Sequence, residues 1–237
     1  MDKMRLWDAY VERLVRQYKG RITHWEIWNE PDLMWPEVTR HSGEHYLALL
    51  KTGYAAAKRA DPDCVVLGLS HAGYEEWLDK VGALGARDYM DVATVHLYGE
   101  PNQFLRGIQR RRTLLARHGM DAVPLWVNEI GATAYDFSPE YSAEFHCSER
   151  SQAQTVVTTY ALSLSLDPRM KAFWFCTYDP RDPAHRSQWT GDAGIGMLYL
   201  GFLPKLSYAA LAALACELDG HTCLGRADIT AELHQVS

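Results

Sequence analysis

Two glutamates at the ends of apolar runs carry the most legible chemistry in this chain. Residues Ile22 to Trp28 are apolar and aromatic enough for a buried strand, and the run breaks abruptly into Asn29-Glu30-Pro31-Asp32. The stretch Pro124 to Val127 repeats the design and ends in Asn128-Glu129-Ile130-Gly131. Each run mounts a carboxylate at the carboxyl end of a core strand, a rigid support that opens onto a solvent-facing loop. Two carboxyl groups converging there would suit cleavage of a glycosidic bond. In that reaction one carboxyl protonates the leaving oxygen while the other attacks or activates water.

The residues Trp28-Asn29-Glu30-Pro31-Asp32 after one apolar strand, and Trp126-Val127-Asn128-Glu129-Ile130-Gly131 after another, resemble the motifs of the large clan of retaining (β/α)8-barrel glycoside hydrolases. Within the clan the chain looks most like the β-xylosidase, α-iduronidase and endo-glycosidase branch, from Arg5 to Leu218. The resemblance implies Glu30 as acid/base at the end of barrel strand four and Glu129 as nucleophile at the end of strand seven. Their carboxyl groups are then expected about 5 to 5.5 Å apart. It further implies that Asn29 hydrogen-bonds the sugar 2-hydroxyl, that Tyr98 orients the nucleophile and that His96 lines the sugar pocket. Trp174 would floor the subsite, unless strand alternation turns it into the core. Trp28, Trp35, His71, Asp179 and Trp189 are rim residues of second rank. Asn128 stands where the clan more often has a small hydroxyl residue.

The elements that must position these groups follow from periodicity. Leu6, Tyr10, Leu14, Val15 and Tyr18 recur at helical spacing and predict an amphipathic helix over 4–19. Strands are expected at 22–28, 64–70, 91–97, 125–129 and 171–178. Helices are expected at 43–60, 74–84, 103–118, 149–166 and 204–218. This order is α/β with a parallel sheet: an incomplete TIM barrel of five parallel strand-helix units preceded by one helix. A closed barrel needs about 250 residues and eight strands. Matched to the clan, strands one to three, with the sugar-binding groups they normally carry, have no counterpart here. Residues 1–220 are expected to form the partial barrel and 221–237 a C-terminal extension, either the remnant of a β domain or a surface tail. Open sheet edges invite pairing with another chain, so a homodimer is expected.

Composition narrows the remaining classes. With 237 residues, 47% of them hydrophobic, the chain can bury a substantial core. A net charge of −6, spread along the chain, argues for neither a nucleic-acid nor a membrane partner, and the run Arg110-Arg111-Arg112 reads as a solvated helix face. The eight Trp and 13 Tyr suit an oligosaccharide or glycoside substrate, whose C–H faces pack on aromatic rings. Five cysteines show no metal-like or paired spacing, and no cofactor is expected. The start at Met1 has no signal-like apolar core, so the chain as written reads as cytoplasmic. Two other functions compete: a weak or inactive truncated barrel that binds carbohydrate or serves as a structural fragment, and a zinc hydrolase using His24, His71 and His96.

Overall fold

The computed structural model describes residues 3–33, 43–99, 101–134, 148–179 and 194–223. Strands β1 (His24–Glu26), β2 (Val65–His71), β3 (Val92–Tyr98), β4 (Leu125–Gly131) and β5 (Ala172–Trp174) form one parallel sheet in the order β1-β2-β3-β4-β5. The sheet curls into a half-barrel, the incomplete TIM barrel that the element order predicts. Helices α1 (Lys3–Tyr18), α2 (Gly43–Ala60), α3 (Glu75–Ala83), α4 (Pro101–Arg117), α5 (Glu149–Leu166) and α6 (Leu206–Leu218) alternate with the strands along the chain. The first and last strands are shorter than expected, at three residues each. No described helix is long and apolar enough to cross a membrane.

The chain divides into two compact units. The first, Met1–Gly131 with Lys171–Phe175, contains the whole sheet and helices α1 to α4. Its core is made by Val66, Val95 and Val127 from the strands and Tyr46, Leu50, Phe104, Ile108 and Leu115 from the helices, all buried. Helix α2 comes so close to the strand region that a Cβ on Gly53 would sit 2.8 Å from Ile27 Cδ1. On the other face His24 stacks on Trp126 at 5.4 Å, and Trp126 meets Phe173 at 6.2 Å. Trp126 is buried against Leu67 and Val92, while Phe173 remains 47% exposed.

Helix α1 corrects one detail. Leu6 and Tyr10 are exposed, whereas Val11 and Val15 are buried. The buried stripe runs Trp7, Val11, Val15, Tyr18, because the side of α1 that meets α2 is fixed by specific partners. Trp7 Nε1 donates to the Leu49 carbonyl at 3.0 Å, and Arg59 reaches Asp8 at 2.7 Å and Glu12 at 3.0 Å. Apolarity alone named Val15 and Tyr18 of that stripe, but with them the exposed Leu6 and Tyr10 in place of Trp7 and Val11.

The second unit, Ala132–Met170 with Cys176–Ser237, is organised by two buried polar side chains. Gln152 Nε2 donates to the Ala132 and Gly194 carbonyls at 2.8 and 2.9 Å, and its carbonyl oxygen accepts from Ser207 Oγ. Lys205 Nζ lies 2.7 Å from Asp179 Oδ1, both side chains being almost fully buried. Asp179, a second-rank site candidate, is thereby committed to an ion pair.

Back in the first unit, one buried carboxylate fixes the loop that follows β1. Asp32 is fully buried and accepts the backbone N–H groups of Ala72, Gly73 and Tyr74 at 3.0, 2.8 and 3.0 Å. It thus ties the loop after β1 to the loop between β2 and α3. Without it all three would lose this partner. Asp32→Ala is therefore expected to cost about 3 kcal/mol or more of stability, seen as a lowered urea midpoint at unchanged slope.

Candidate active site

The rim of the sheet is shaped by backbone irregularities that re-aim side chains. Five described non-glycine residues have positive φ, and four of them stand at the ends of β1 and β2: Trp28, Glu30, Leu69 and Ser70. Such conformations cost of order 1 kcal/mol or more each and persist only where the surroundings impose them. Here the phenol of Tyr46 does so. It accepts the Leu69 N–H at 2.5 Å and reaches the Ile27 carbonyl at 3.5 Å from a fully buried position. Burial pushes the Tyr46 pKa well up, so the phenol stays neutral.

A second irregularity lies on β4. Val95 pairs with Val127 but His96 pairs with Glu129, which leaves Asn128 as an extra residue. A bulge of this kind breaks the strict alternation of a strand. Asn128 reaches Glu26 on β1, while the adjacent Glu129 reaches His96 and Tyr98 on β3.

These devices bring Glu30, His96 and Glu129 together. His96 Nδ1 lies 2.8 Å from Glu30 Oε1 and 3.3 Å from Glu129 Oε2. One oxygen of each carboxylate and a ring nitrogen of His96 fall within 4.8 Å of one another. Tyr98 donates its hydroxyl proton to Glu129 Oε2 at 2.5 Å. On the far side of the imidazole, Nε2 is 3.1 Å from Ser70 Oγ, which also reaches Asn29 Oδ1 at 3.4 Å. The imidazole is buried while both carboxylates keep about a fifth of their surface open. The arrangement can offer a proton from one side of a bound group and a nucleophile from the other.

The remaining candidates sit apart from this trio. Trp28 is half-buried and packs edge-on against Trp7 at 6.2 Å. Trp174 is half-buried and pairs in the ladder with Ile130, on the face of β5 opposite to Phe173. His71 is fully buried, stacked on Trp77 and 3.6 Å from Asp32, and burial lowers its pKa despite that carboxylate. Trp35 and Trp189 lie outside the described residues. The zinc arrangement of His24, His71 and His96 does not form. His24 stacks on Trp126, His71 faces Asp32, and among the described residues only Glu30, His96 and Glu129 make a cluster with metal-ligand spacing.

Sequence reading passed over three residues that the site uses: Glu26, Ser70 and Thr94. Glu26 accepts both contacts from the Asn128 amide and lies 2.6 Å from Thr94 Oγ1. A charge inside the apolar run His24-Trp25-Glu26-Ile27-Trp28 was the available signal. Thr94 is fully buried and its hydroxyl accepts the Ser70 N–H at 2.9 Å, holding the residue that meets His96. Thr94→Val keeps the shape but strands that N–H. We expect it to lose about 1 to 3 kcal/mol of stability in thermal or urea unfolding.

Comparison with solved structures places the fold. A family 39 glycoside hydrolase from the gut symbiont Bacteroides cellulosilyticus matches with a TM-score of 0.66 at 22% identity, over 91% of this chain and 45% of that one. A monomeric β-xylosidase from Caulobacter crescentus matches with 0.62 at 21% identity, over 87% and 45%. Xylanase 10B from Thermotoga petrophila gives 0.58 at 17% identity, over 89% and 64%. At such identities the likeness is one of fold, and this chain spans slightly less than half the length of the first two proteins. No family model and no curated protein sequence matches the chain.

Proposed function

We propose that this chain carries the catalytic half of a retaining glycoside hydrolase, with Glu129 as nucleophile and Glu30 as acid/base. The observation that carries the reading is the convergence of these two carboxylates on one ring nitrogen of His96, an oxygen of each and that nitrogen lying within 4.8 Å of one another. That spacing belongs with the short separation of retaining enzymes, about 5 to 5.5 Å, rather than with the wider gap that admits a water in inverting ones. Fold neighbours named as a family 39 glycoside hydrolase, a β-xylosidase and a xylanase support the same class.

In this reading Glu129 attacks the anomeric carbon while Glu30 gives its proton to the leaving oxygen. The glycosyl ester on Glu129 is then hydrolysed by a water that Glu30 deprotonates. Tyr98 fixes the attacking oxygen by its hydrogen bond, and His96 Nδ1 bridges the two carboxylates. Asn29, beside Ser70, is offered to the sugar 2-hydroxyl. The substrate class is a β-linked or equivalently equatorial glycoside.

The test is release of the aryl group from a panel of aryl β-glycosides and α-arabinosides by the full chain and by Glu129→Gln. The variant keeps side-chain volume and is expected to lose at least about a thousandfold in turnover, with products of the parent enzyme retaining anomeric configuration. Equal turnover in both proteins removes the mechanism. No release by the parent chain leaves a carbohydrate-binding or structural fragment as the reading. We also propose that two copies meet through the sheet edges at β1 and β5, each of which has a ladder partner on one side only among the described residues. Sedimentation should give a dimer at micromolar concentration; a monomer there excludes it.

A further inference from the structure

Asn29 and His96 come to the site from two different parts of the sheet rim, and one hydroxyl lies against both. Ser70 Oγ donates to Asn29 Oδ1 at 3.4 Å and lies 3.1 Å from His96 Nε2. Ser70 is fully buried near the end of β2, whereas Asn29, on the loop after β1, is exposed. Among the described residues the contact with Ser70 is the one hydrogen bond that the Asn29 side chain makes. It holds the acceptor end of the amide and leaves the N–H end for a ligand.

The backbone at Ser70 does not ask for a hydroxyl. Its φ is 42°, a conformation that glycine adopts without the Cβ penalty, at the point where the ladder to β3 gains a residue between Gly68 and His71. The Ser70 N–H is held by Thr94 Oγ1 at 2.9 Å, a bond that any residue with an N–H could make. Glycine would suit the turn better. What serine adds is the oxygen between Asn29 and His96.

We propose that Ser70 is a positioning residue that couples recognition of the sugar 2-hydroxyl to the acid/base pair. The proposal rests on the glycosidase reading, in which Asn29 faces that hydroxyl. Ser70 aims the Asn29 amide on one side and seats the imidazole on the other. Through that ring it reaches the reacting groups, since His96 Nδ1 lies 2.8 Å from Glu30 Oε1 and 3.3 Å from Glu129 Oε2. At 3.4 Å the bond to Asn29 is long for O–H···O, and bonds of this kind tighten when substrate completes a site. One oxygen with two partners makes the two contacts interdependent.

The experiment compares the full chain with Ser70→Ala and Ser70→Gly on an aryl β-glycoside and on its 2-deoxy analogue. Both variants keep the N–H that Thr94 accepts, and Ser70→Gly also relieves the positive φ, so it should melt no lower than Ser70→Ala. On the 2-hydroxy substrate both should lose roughly tenfold to a hundredfold in kcat/KM, mostly in kcat, because the 2-hydroxyl contact strengthens in the transition state. On the 2-deoxy substrate the loss should be at least about fivefold smaller, because the contact that Asn29 serves is already gone. Equal losses on the two substrates overturn the coupling while leaving the glycosidase reading in place. A second readout needs no turnover. The side-chain amide of Asn29, identified by its absence from Asn29→Asp, should be ordered in 15N relaxation of the parent. In both Ser70 variants it should become as mobile as other exposed asparagine amides; unchanged order overturns the proposal. A parent chain without turnover refutes the glycosidase reading and the coupling built on it, and the amide then decides alone whether Ser70 positions Asn29.

Discussion

Two carboxylates held within 4.8 Å repel, and the imidazole of His96 between them is the interaction on which the rest of the site depends. At that separation, with an effective dielectric constant of about 20, two full charges would repel by roughly 3 kcal/mol. The His96 ring nitrogen stands against both, 2.8 Å from Glu30 Oε1 and 3.3 Å from Glu129 Oε2. The ring can serve only if it cannot rotate. Burial and the Ser70 hydroxyl on its far nitrogen hold it in place, and Ser70 is held in turn through its backbone by Thr94.

That chain of constraints explains why backbone strain collects at the rim. Ser70 and Leu69 adopt positive φ at the end of β2, where the ladder to β3 gains a residue between Gly68 and His71. Glu30 and Trp28 do the same after β1. Regular strands would send alternate residues to opposite faces and could not gather Glu30, His96, Asn128 and Glu129 on one side. The cost is offset by buried anchors that are polar rather than apolar. Tyr46 holds the Leu69 N–H and Asp32 holds three N–H groups between β2 and α3.

Much of this was legible in the sequence, and the parts that were not share a physical cause. The five parallel strands and the convergence of Glu30 with Glu129 follow from apolar runs broken by polar residues, which is a local signal. On α1 the exposed Leu6 and Tyr10 were named in place of Trp7 and Val11, because contacts between α1 and α2, Trp7 to the Leu49 carbonyl and Arg59 to Glu12, select the buried side. Glu26, Thr94 and Ser70 went unnoticed for the same kind of reason. Their importance lies in hydrogen bonds spanning 24 to 102 residues of sequence, and those exist only once two bulges have set the registers. Hydrophobic patterning reports which residues leave water. It does not report which buried polar atoms will meet.

The hydrogen-bond network around the carboxylates closes within β1 to β4, in the first unit alone. None of its described members requires an atom from the strands that a closed barrel would add. What an open half-barrel lacks is a wall, and the exposure of Phe173 and Phe175 on β5 and just beyond it marks where that wall is missing. In the glycosidase reading, the groups that move protons and attack carbon are therefore separable from those that enclose the sugar. Enclosure contributes binding shared by ground and transition state, whereas the trio contributes interactions that strengthen only as charge develops. A fold divided in this way keeps its chemistry on one side of the cleft and leaves the choice of sugar to whatever faces it.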